Sequence, residues 1–214
     1  MLIRPWDAPL ADAEWQEFLR THPFGQLVVN GPAGEPPSAQ PLHFAFDAET
    51  GHVVSHLARP NPIWPLLAAR PEVLLSVVDD YTFIPGPWQA APEQPPEHGV
   101  PTSFYAAVQL HCLARVVDDP EEKAELLGRH VAAFQPPGTS APVSATEGPF
   151  HRQLPGIRAL ALEVVGVRAK FKYGGKREEA VQERIAGRLA ERDAPGDAAA
   201  RAHQLRRLAA RHGA

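Results

Sequence analysis

The sequence predicts a mainly antiparallel β protein with added helices, a β-barrel rather than a parallel α/β sheet. Three observations predict it. Two long segments, from Ser103 to Val117 and from Ile157 to Lys172, alternate apolar and polar residues with the period of two of a half-buried strand. Shorter strand patterns are separated by turn residues, Gly31-Pro-Ala-Gly34 and Asp47-Ala-Glu-Thr-Gly51, as in hairpins. No alternating strand–helix–strand series runs along the chain, so parallel layers are not expected.

The elements follow in order. Trp15, Phe18 and Leu19 mark an opening helix, and Phe24-Gly-Gln-Leu-Val-Val marks a strand. Leu42, Phe44 and Phe46 alternate with His43 and Ala45, which predicts one half-buried strand ending at Asp47 before extended character resumes at Val53 to Leu57. Asn61-Pro62 has the form of an N-cap with proline at the first helical position, opening a short helix through Ile63, Trp64, Leu66 and Leu67. Glu72 to Val78 is nearly continuous apolar sequence, expected as a buried strand that continues towards Tyr81 and Ile84. From Pro85 to Pro101 the chain is proline-rich without periodicity, the signature of a long surface loop. In the first long strand Phe104, Ala106, Val108, Leu110, Cys112, Ala114 and Val116 share a face. Asp119-Pro-Glu-Glu122 supplies a cap, a first-turn proline and acidic residues for a helix carrying Leu127, Val131 and Phe134. After an irregular stretch from Gln135 to Gly156, the second long strand sets Arg168, Lys170 and Lys172 on one face and Val167, Ala169 and Phe171 on the other. Gly174-Gly175 breaks that strand. Val181, Ile185 and Leu189 define an amphipathic helix ending near Asp193-Ala-Pro-Gly196, and Ala198 to Ala210 forms a terminal helix with Leu205 and Leu208 inward. The expected organisation is a barrel domain over residues 1–192 with a C-terminal helical extension over 193–214.

Composition narrows the function classes. At 214 residues the chain buries one sizeable core, and 44% hydrophobic with 21% charged residues is ordinary globular usage. No apolar run approaches the roughly 18 residues of a membrane span. The N-terminus also lacks an export pattern, so a cytoplasmic, membrane-free protein is expected. The single cysteine, Cys112, excludes an intramolecular disulfide and any multi-cysteine zinc site within one chain, and its strand position predicts a buried thiol. A formal charge of −4 argues against a surface that grips nucleic acid throughout. A local patch remains open, because three of the four lysines, Lys170, Lys172 and Lys176, fall within seven residues.

Three constellations are candidate sites. At His56-Leu-Ala-Arg59-Pro-Asn61-Pro-Ile-Trp64 a strand ends, an arginine follows and a helix starts, an arrangement that suits a phosphate through free N–H groups and a guanidinium fork. It equally suits an ordinary capped helix with a solvated arginine. The stripe Arg168, Lys170, Lys172 runs into Gly174-Gly-Lys176-Arg177 before a helix; it is not a phosphate loop of the GxxxxGK[ST] type, since the earlier glycine is missing and Arg177 stands where a hydroxyl should bind magnesium. Its plain alternative is a charged face followed by a glycine turn. Thr102 and Tyr105 place a hydroxyl and a phenol at the entry to the first long strand, suited either to a ligand or to internal packing, and Trp88 in the preceding loop has the same two readings. No metal site is expected: there is no HExxH, and His52 and His56 on one strand lie roughly 13 Å apart. No catalytic acid, base or nucleophile is evident, so any chemistry would belong to a cofactor.

Taken in order, His56-Leu-Ala-Arg-Pro-Asn61-Pro-Ile-Trp64, Val100-Pro-Thr102-Ser-Phe-Tyr105-Ala-Ala-Val108, and Phe171-Lys172 with Arg177 resemble the successive signatures of the PaiB-type FMN-binding negative transcriptional regulators. The similarity extends from Phe24-Gly25 to the helix after Arg177. It implies an FMN-binding split β-barrel, related to pyridoxamine-phosphate-oxidase-like flavoproteins and assembled as a homodimer. By the same resemblance His56, Arg59, Asn61 and Trp64 border the phosphate, while Thr102, Tyr105, Lys172 and Arg177 complete the pocket for FMN or a related phosphorylated molecule. The chain departs from the family at Ala39-Gln40-Pro41-Leu42, at Ser103-Phe104 and at Gly174-Gly175-Lys176, where the family carries more polar side chains and this chain adds a lysine. The function implied is a flavin-dependent or redox-responsive transcriptional regulator, with DNA as a partner. Its alternatives are a flavin-dependent oxidoreductase and a cofactor-free interaction protein that has lost FMN.

Overall fold

A computed structural model describes residues 1–212. In chain order the elements are α1 (Asp12–Thr21), β1 (Phe24–Val29), β2 (Ser38–His43), β3 (Ala45–Asp47), β4 (His52–Ala58), α2 (Trp64–Ala69), β5 (Glu72–Ile84), α3 (Gly86–Gln89), β6 (Thr102–Val117), α4 (Pro120–Phe134), α5 (Gly148–His151), β7 (Ile157–Lys172), α6 (Glu179–Arg192) and α7 (Asp197–His212). The seven strands form one antiparallel sheet in the order β2-β1-β5-β6-β7-β4-β3, and the sheet is not closed. Register puts Leu27 opposite both Gln40 and Leu75, and His56 opposite Ala159.

Two compact units divide the chain, and β5, β6 and β7 run through both. The first comprises Met1–Trp15, Val78–Val108 and the chain from Arg168 onward. Its core is built from Ile84, Phe104, Phe171, Tyr173, Ile185 and Leu189, all buried. The second comprises Gln16–Val77 and Gln109–Val167, with Leu19, Leu27, Phe44, Leu75, Leu110, Leu160 and Leu162 at its centre. Cys112 is buried there, and burial pushes its thiol up to about 12, as the strand pattern predicts.

Most elements follow from local sequence. Asp119 caps α4 by accepting from the N–H groups of Glu121 and Glu122. In β7 the buried Ala169 and Phe171 alternate with the cations. Several expectations are corrected. Pro62 does not open α2: Asn61 Oδ1 accepts from Ile63 N–H in a turn, and the helix begins at Trp64 with Pro65 in its first turn, where the missing N–H costs nothing. The stretch from Leu42 to Phe46 is two strands broken at Phe44. β5 is alternating rather than fully buried, since Val78, Tyr81 and Phe83 are exposed. The proline-rich stretch contains α3 and a turn of 3-10 helix at Pro96–His98. In α7 Leu205 is 37% exposed, and the inward stripe is Ala200, His203, Gln204, Arg207 and Leu208.

Two glycines make opposite predictions. A Cβ on Gly25 would lie 2.8 Å from the Ser76 carbonyl oxygen and 3.0 Å from a Val77 methyl. Gly25→Ala is therefore expected to destabilise by about 1–3 kcal/mol, because overpacking outweighs the ~0.4–1 kcal/mol gained by stiffening the unfolded chain. Gly187 is exposed within α6 and nothing lies within 4 Å of its added Cβ, so Gly187→Ala should stabilise by about 1 kcal/mol. Urea unfolding of both variants checks the signs.

Candidate functional site

In the first unit β7 delivers its basic stripe to the segment before α6. Arg168 donates to the Met1 carbonyl, and Lys170 Nζ lies 3.0 Å from the Leu2 carbonyl and 3.9 Å from Asp7. Lys172 Nζ donates to Thr102 Oγ1 at 2.8 Å. Gly174 turns the chain at φ +74°, where a Cβ would meet the Phe104 ring at 3.0 Å; at Gly175 a Cβ would strike the Trp6 carbonyl oxygen at 2.4 Å. Only glycines let the backbone pass here. Arg177 then donates from Nε to Gln89 Oε1 at 2.9 Å.

Thr102, Lys172, Gly174, Gly175 and Arg177 line a cavity of about 150 Å³ together with Trp6, Asp7, Gln89, Phe104 and Lys176. Gln89 is only 3% exposed, and its Nε2 has no hydrogen-bond partner among the described residues. A buried donor left unpaired costs about 1–3 kcal/mol, so this amide is a place where the wall of the cavity stores unfavourable free energy. Three cations, Lys172, Lys176 and Arg177, and the Thr102 hydroxyl make a donor set for an anionic group. Burial raises the Asp7 carboxyl, while Lys170 and Lys172 oppose that shift. The volume is below the roughly 300–1,000 Å³ of a cleft that encloses a whole small ligand, and suits the charged end of one. Tyr105 is not part of the lining: the ammonium groups of Lys170 and Lys172 sit 5.6 and 5.7 Å from its ring centre. Thr102, Lys172 and Arg177 are therefore brought together, with Tyr105 supporting Lys172 from beside. Gln89 had no signal in the sequence, because it lies in the stretch expected to be an irregular loop.

The other four predicted residues belong to the second unit and have internal partners. Arg59 donates to the Pro155 carbonyl at 2.8 Å and pairs with Asp118 at 3.2 Å. Asn61 donates to Gln40 Oε1 while its own oxygen holds Ile63 N–H. Trp64 is buried, with its indole N–H on the Ala58 carbonyl and the Arg158 guanidinium 5.2 Å from its ring centre. Asn61 and Trp64 thus tie the end of β4 to α2.

His56 enters a cluster that sequence spacing does not show. One ring nitrogen from each of His43, His56 and His130 lies within 4.8 Å of the others. Ser55 Oγ donates to the His43 carbonyl at 2.7 Å, which holds the end of β2 against β4, and α4 supplies His130. The His56 and His130 Nδ1 atoms are 3.1 Å apart, and the His43 ring stacks on His130 at 4.5 Å. His130 is 2% exposed and its Nε2 has no hydrogen-bond partner among the described residues. The sequence reading weighed only His52 and His56; the three clustered rings come from two strands and a helix.

Burial, then the neighbouring His43 and His56, hold the His130 imidazole down to about 3, and burial lowers His56 as well. The folded state therefore resists a proton that the unfolded chain accepts near pH 6.5. Stability is fully present above pH 6.5 and is lost as pH falls towards 3, with a slope of up to about 1.4 kcal/mol per pH unit and nearer about 1 where solvent reaches the cluster. His130→Phe is expected to flatten urea-unfolding free energies between pH 6.5 and 4; an unchanged slope would show that other groups carry the acid sensitivity.

No curated protein matches the chain. The family model described as "Putative FMN-binding domain" matches residues 1–165, ending before Lys172. Among solved structures the chain is similar to the flavocytochrome Anf3 from Azotobacter vinelandii, with a TM-score of 0.61 and 16% identity over 83% of this chain and 75% of that one. It is also similar to the FAD and heme binding protein from Mycobacterium smegmatis, with a TM-score of 0.60 and 19% identity over 84% and 78% of the two chains. A conserved hypothetical protein from Mycobacterium tuberculosis follows, with a TM-score of 0.56 and 15% identity over 80% and 90%. At these identities the structures establish the fold, and the family model establishes the cofactor. No helix among the described residues is long and apolar enough to cross a membrane. The chain belongs to the "Putative FMN-binding domain" family, whose cofactor is FMN.

Proposed function

We propose that the protein is a flavin-dependent redox protein that holds FMN by its phosphate in the basic cavity of the first unit and works as a homodimer. The observation that carries this reading is the convergence of half-buried Lys172 and Arg177, with the Thr102 hydroxyl, on one cavity closed by Gly174 and Gly175. When bound, FMN supplies one- and two-electron transfer through its ring, and the protein supplies binding and electrostatics. Lys172 and Arg177 would neutralise the phosphate. Thr102 accepts from Lys172, which leaves the hydroxyl hydrogen free to donate to a phosphate oxygen. Gly174-Gly175 keep side chains out of the space. The similar solved proteins named for a flavin and a haem favour redox chemistry over a cofactor-free role. Support for the homodimer comes from large apolar side chains left exposed, Val78, Tyr81, Phe83 and Val100 in the first unit and Leu113 and Val165 in the second.

The PaiB resemblance supports a second reading, a redox-responsive repressor. The basic face of α7 lends it little, because Arg207 is buried against Glu14, Arg206 also reaches Glu14, and Arg211 donates to the Gly175 and Arg177 carbonyls. DNA retention at physiological salt, dependent on flavin oxidation state, would favour the repressor.

Freshly purified protein is expected to carry the visible absorbance of an oxidised flavin, and flavin-free protein should quench FMN fluorescence at one FMN per chain. Absence of flavin and of quenching in both oxidation states would overturn the proposal and favour the cofactor-free reading. Light scattering in solution checks the dimer.

A further inference from the structure

We propose that His43, His56 and His130 form a binding site for one divalent transition-metal ion, of the zinc, cobalt or nickel kind. The inference rests on the geometry of the second unit alone and does not depend on the flavin reading. Tetrahedral coordination at about 2.0–2.1 Å places ligand nitrogens about 3.3 Å apart. The His56 and His130 Nδ1 atoms, 3.1 Å apart, already have that spacing, and all three ligand atoms lie within 4.8 Å of one another. His43 is the exposed member, so closing the remaining distance needs a turn of a surface side chain rather than a shift of the core.

His130 is the buried member of the group, and only one of its two ring nitrogens has a hydrogen-bond partner among the described residues. Without a cation one imidazole donates and the other accepts across the Nδ1 to Nδ1 contact, a single hydrogen bond between two metal-ligating atoms. A metal would take the Nδ1 lone pair of both rings in place of that one hydrogen bond, with the ring protons moved to the Nε2 atoms. The placement is also built. His56 is held in β4, which pairs with β7; Ser55 fixes the backbone of His43; and His130 sits within α4, with Phe134 edge-on to His43 and His130.

The ligand set fixes the metal class. Three neutral imidazoles and no carboxylate suit zinc, cobalt, nickel or copper, whereas calcium and magnesium require oxygen ligands. Three protein ligands with one exposed edge leave a fourth position for water or a small anion, the arrangement of an open rather than a closed zinc site.

The test uses the untagged full chain, treated with chelator and then titrated with Co²⁺ and Zn²⁺ by calorimetry and visible absorbance. One ion per chain is expected, with the intense d–d bands of four-coordinate cobalt displaced by zinc, and no comparable heat from Ca²⁺ or Mg²⁺. His43→Ala and His130→Gln should each lower affinity at least about tenfold and abolish the cobalt bands, while His52→Ala retains both. If His130→Gln does not fold by circular dichroism, His43→Ala decides, since its side chain is exposed. No stoichiometric cobalt or zinc binding, unchanged affinity in His43→Ala, or equal heat from Ca²⁺ would overturn the site. Flavin content is measured in the same samples, so missing flavin with intact cobalt binding counts against the flavin reading alone.

Discussion

Asp197→Ala is expected to destabilise the protein by about 3 kcal/mol, lowering Tm by about 6–12 °C. Asp197 opens α7 and is 1% exposed, yet it is charged. Its carboxylate accepts from Arg192 at 2.6 and 2.8 Å, from Thr82 Oγ1 at 2.6 Å and from Ala194 N–H at 3.0 Å. Those bonds close the turn between α6 and α7, where Asp193 and Gly196 both adopt positive φ. Truncation leaves a partly buried guanidinium without its partner and the Ala194 N–H without its acceptor. The remaining Arg192 bond to Thr82 Oγ1, at 2.7 Å, makes up only part of the loss. The Arg192 guanidinium, aided by Thr82, holds the Asp197 carboxyl down to about 2. An unfolded aspartate titrates near 3.9, so this contribution is present above that value and is lost as pH falls towards 2. Asp197→Asn should cost less than the alanine and flatten the unfolding free energy over that window. Equal stability of wild type and Asp197→Ala in urea would show that the network only decorates a turn fixed by other contacts.

The second large effect concerns the anion pocket. Reversing both charges, Lys172→Glu with Arg177→Glu, is expected to weaken FMN at least about 100-fold, since each lost charge-assisted bond is worth about 1.5–3 kcal/mol and each new carboxylate repels the phosphate. Riboflavin, which lacks the phosphate, should lose less than about threefold. Wild-type FMN affinity should fall with added salt and riboflavin affinity should not. Lys172→Gln separates charge from support: it can still donate to Thr102 and should keep the fold while losing part of the FMN affinity. Equal losses for FMN and riboflavin would place the phosphate elsewhere.

Legibility followed the range of the interactions involved. The long alternating strands, the Asp119 cap and the stripe of α6 were legible because each depends on residues a few positions apart. The start of α2 was misplaced because two prolines competed for one helix end, and a turn from Asn61 rather than local propensity decided between them. In α7 hydrophobicity selected Leu205, but the buried stripe contains His203, bonded to Asp80 at 2.7 Å, and Arg207, paired with Glu14 at 3.2 Å. Those acidic partners lie 123 and 193 residues away. Polar residues bury only where a partner waits, and that partner is invisible to a helical wheel.

By itself the sequence determined the antiparallel class, the two long strands, the basic stripe ending at Lys172 and the glycine turn after it. Tertiary structure alone decided that Gln89 accepts from Arg177 while its amide nitrogen has no partner among the described residues, that Arg59 and Asn61 have internal partners, and that three histidines meet. The division has a physical reason. Period and capping are set by backbone geometry within one or two turns, whereas His56 and His130 are 74 residues apart and become neighbours only when α4 packs on the sheet.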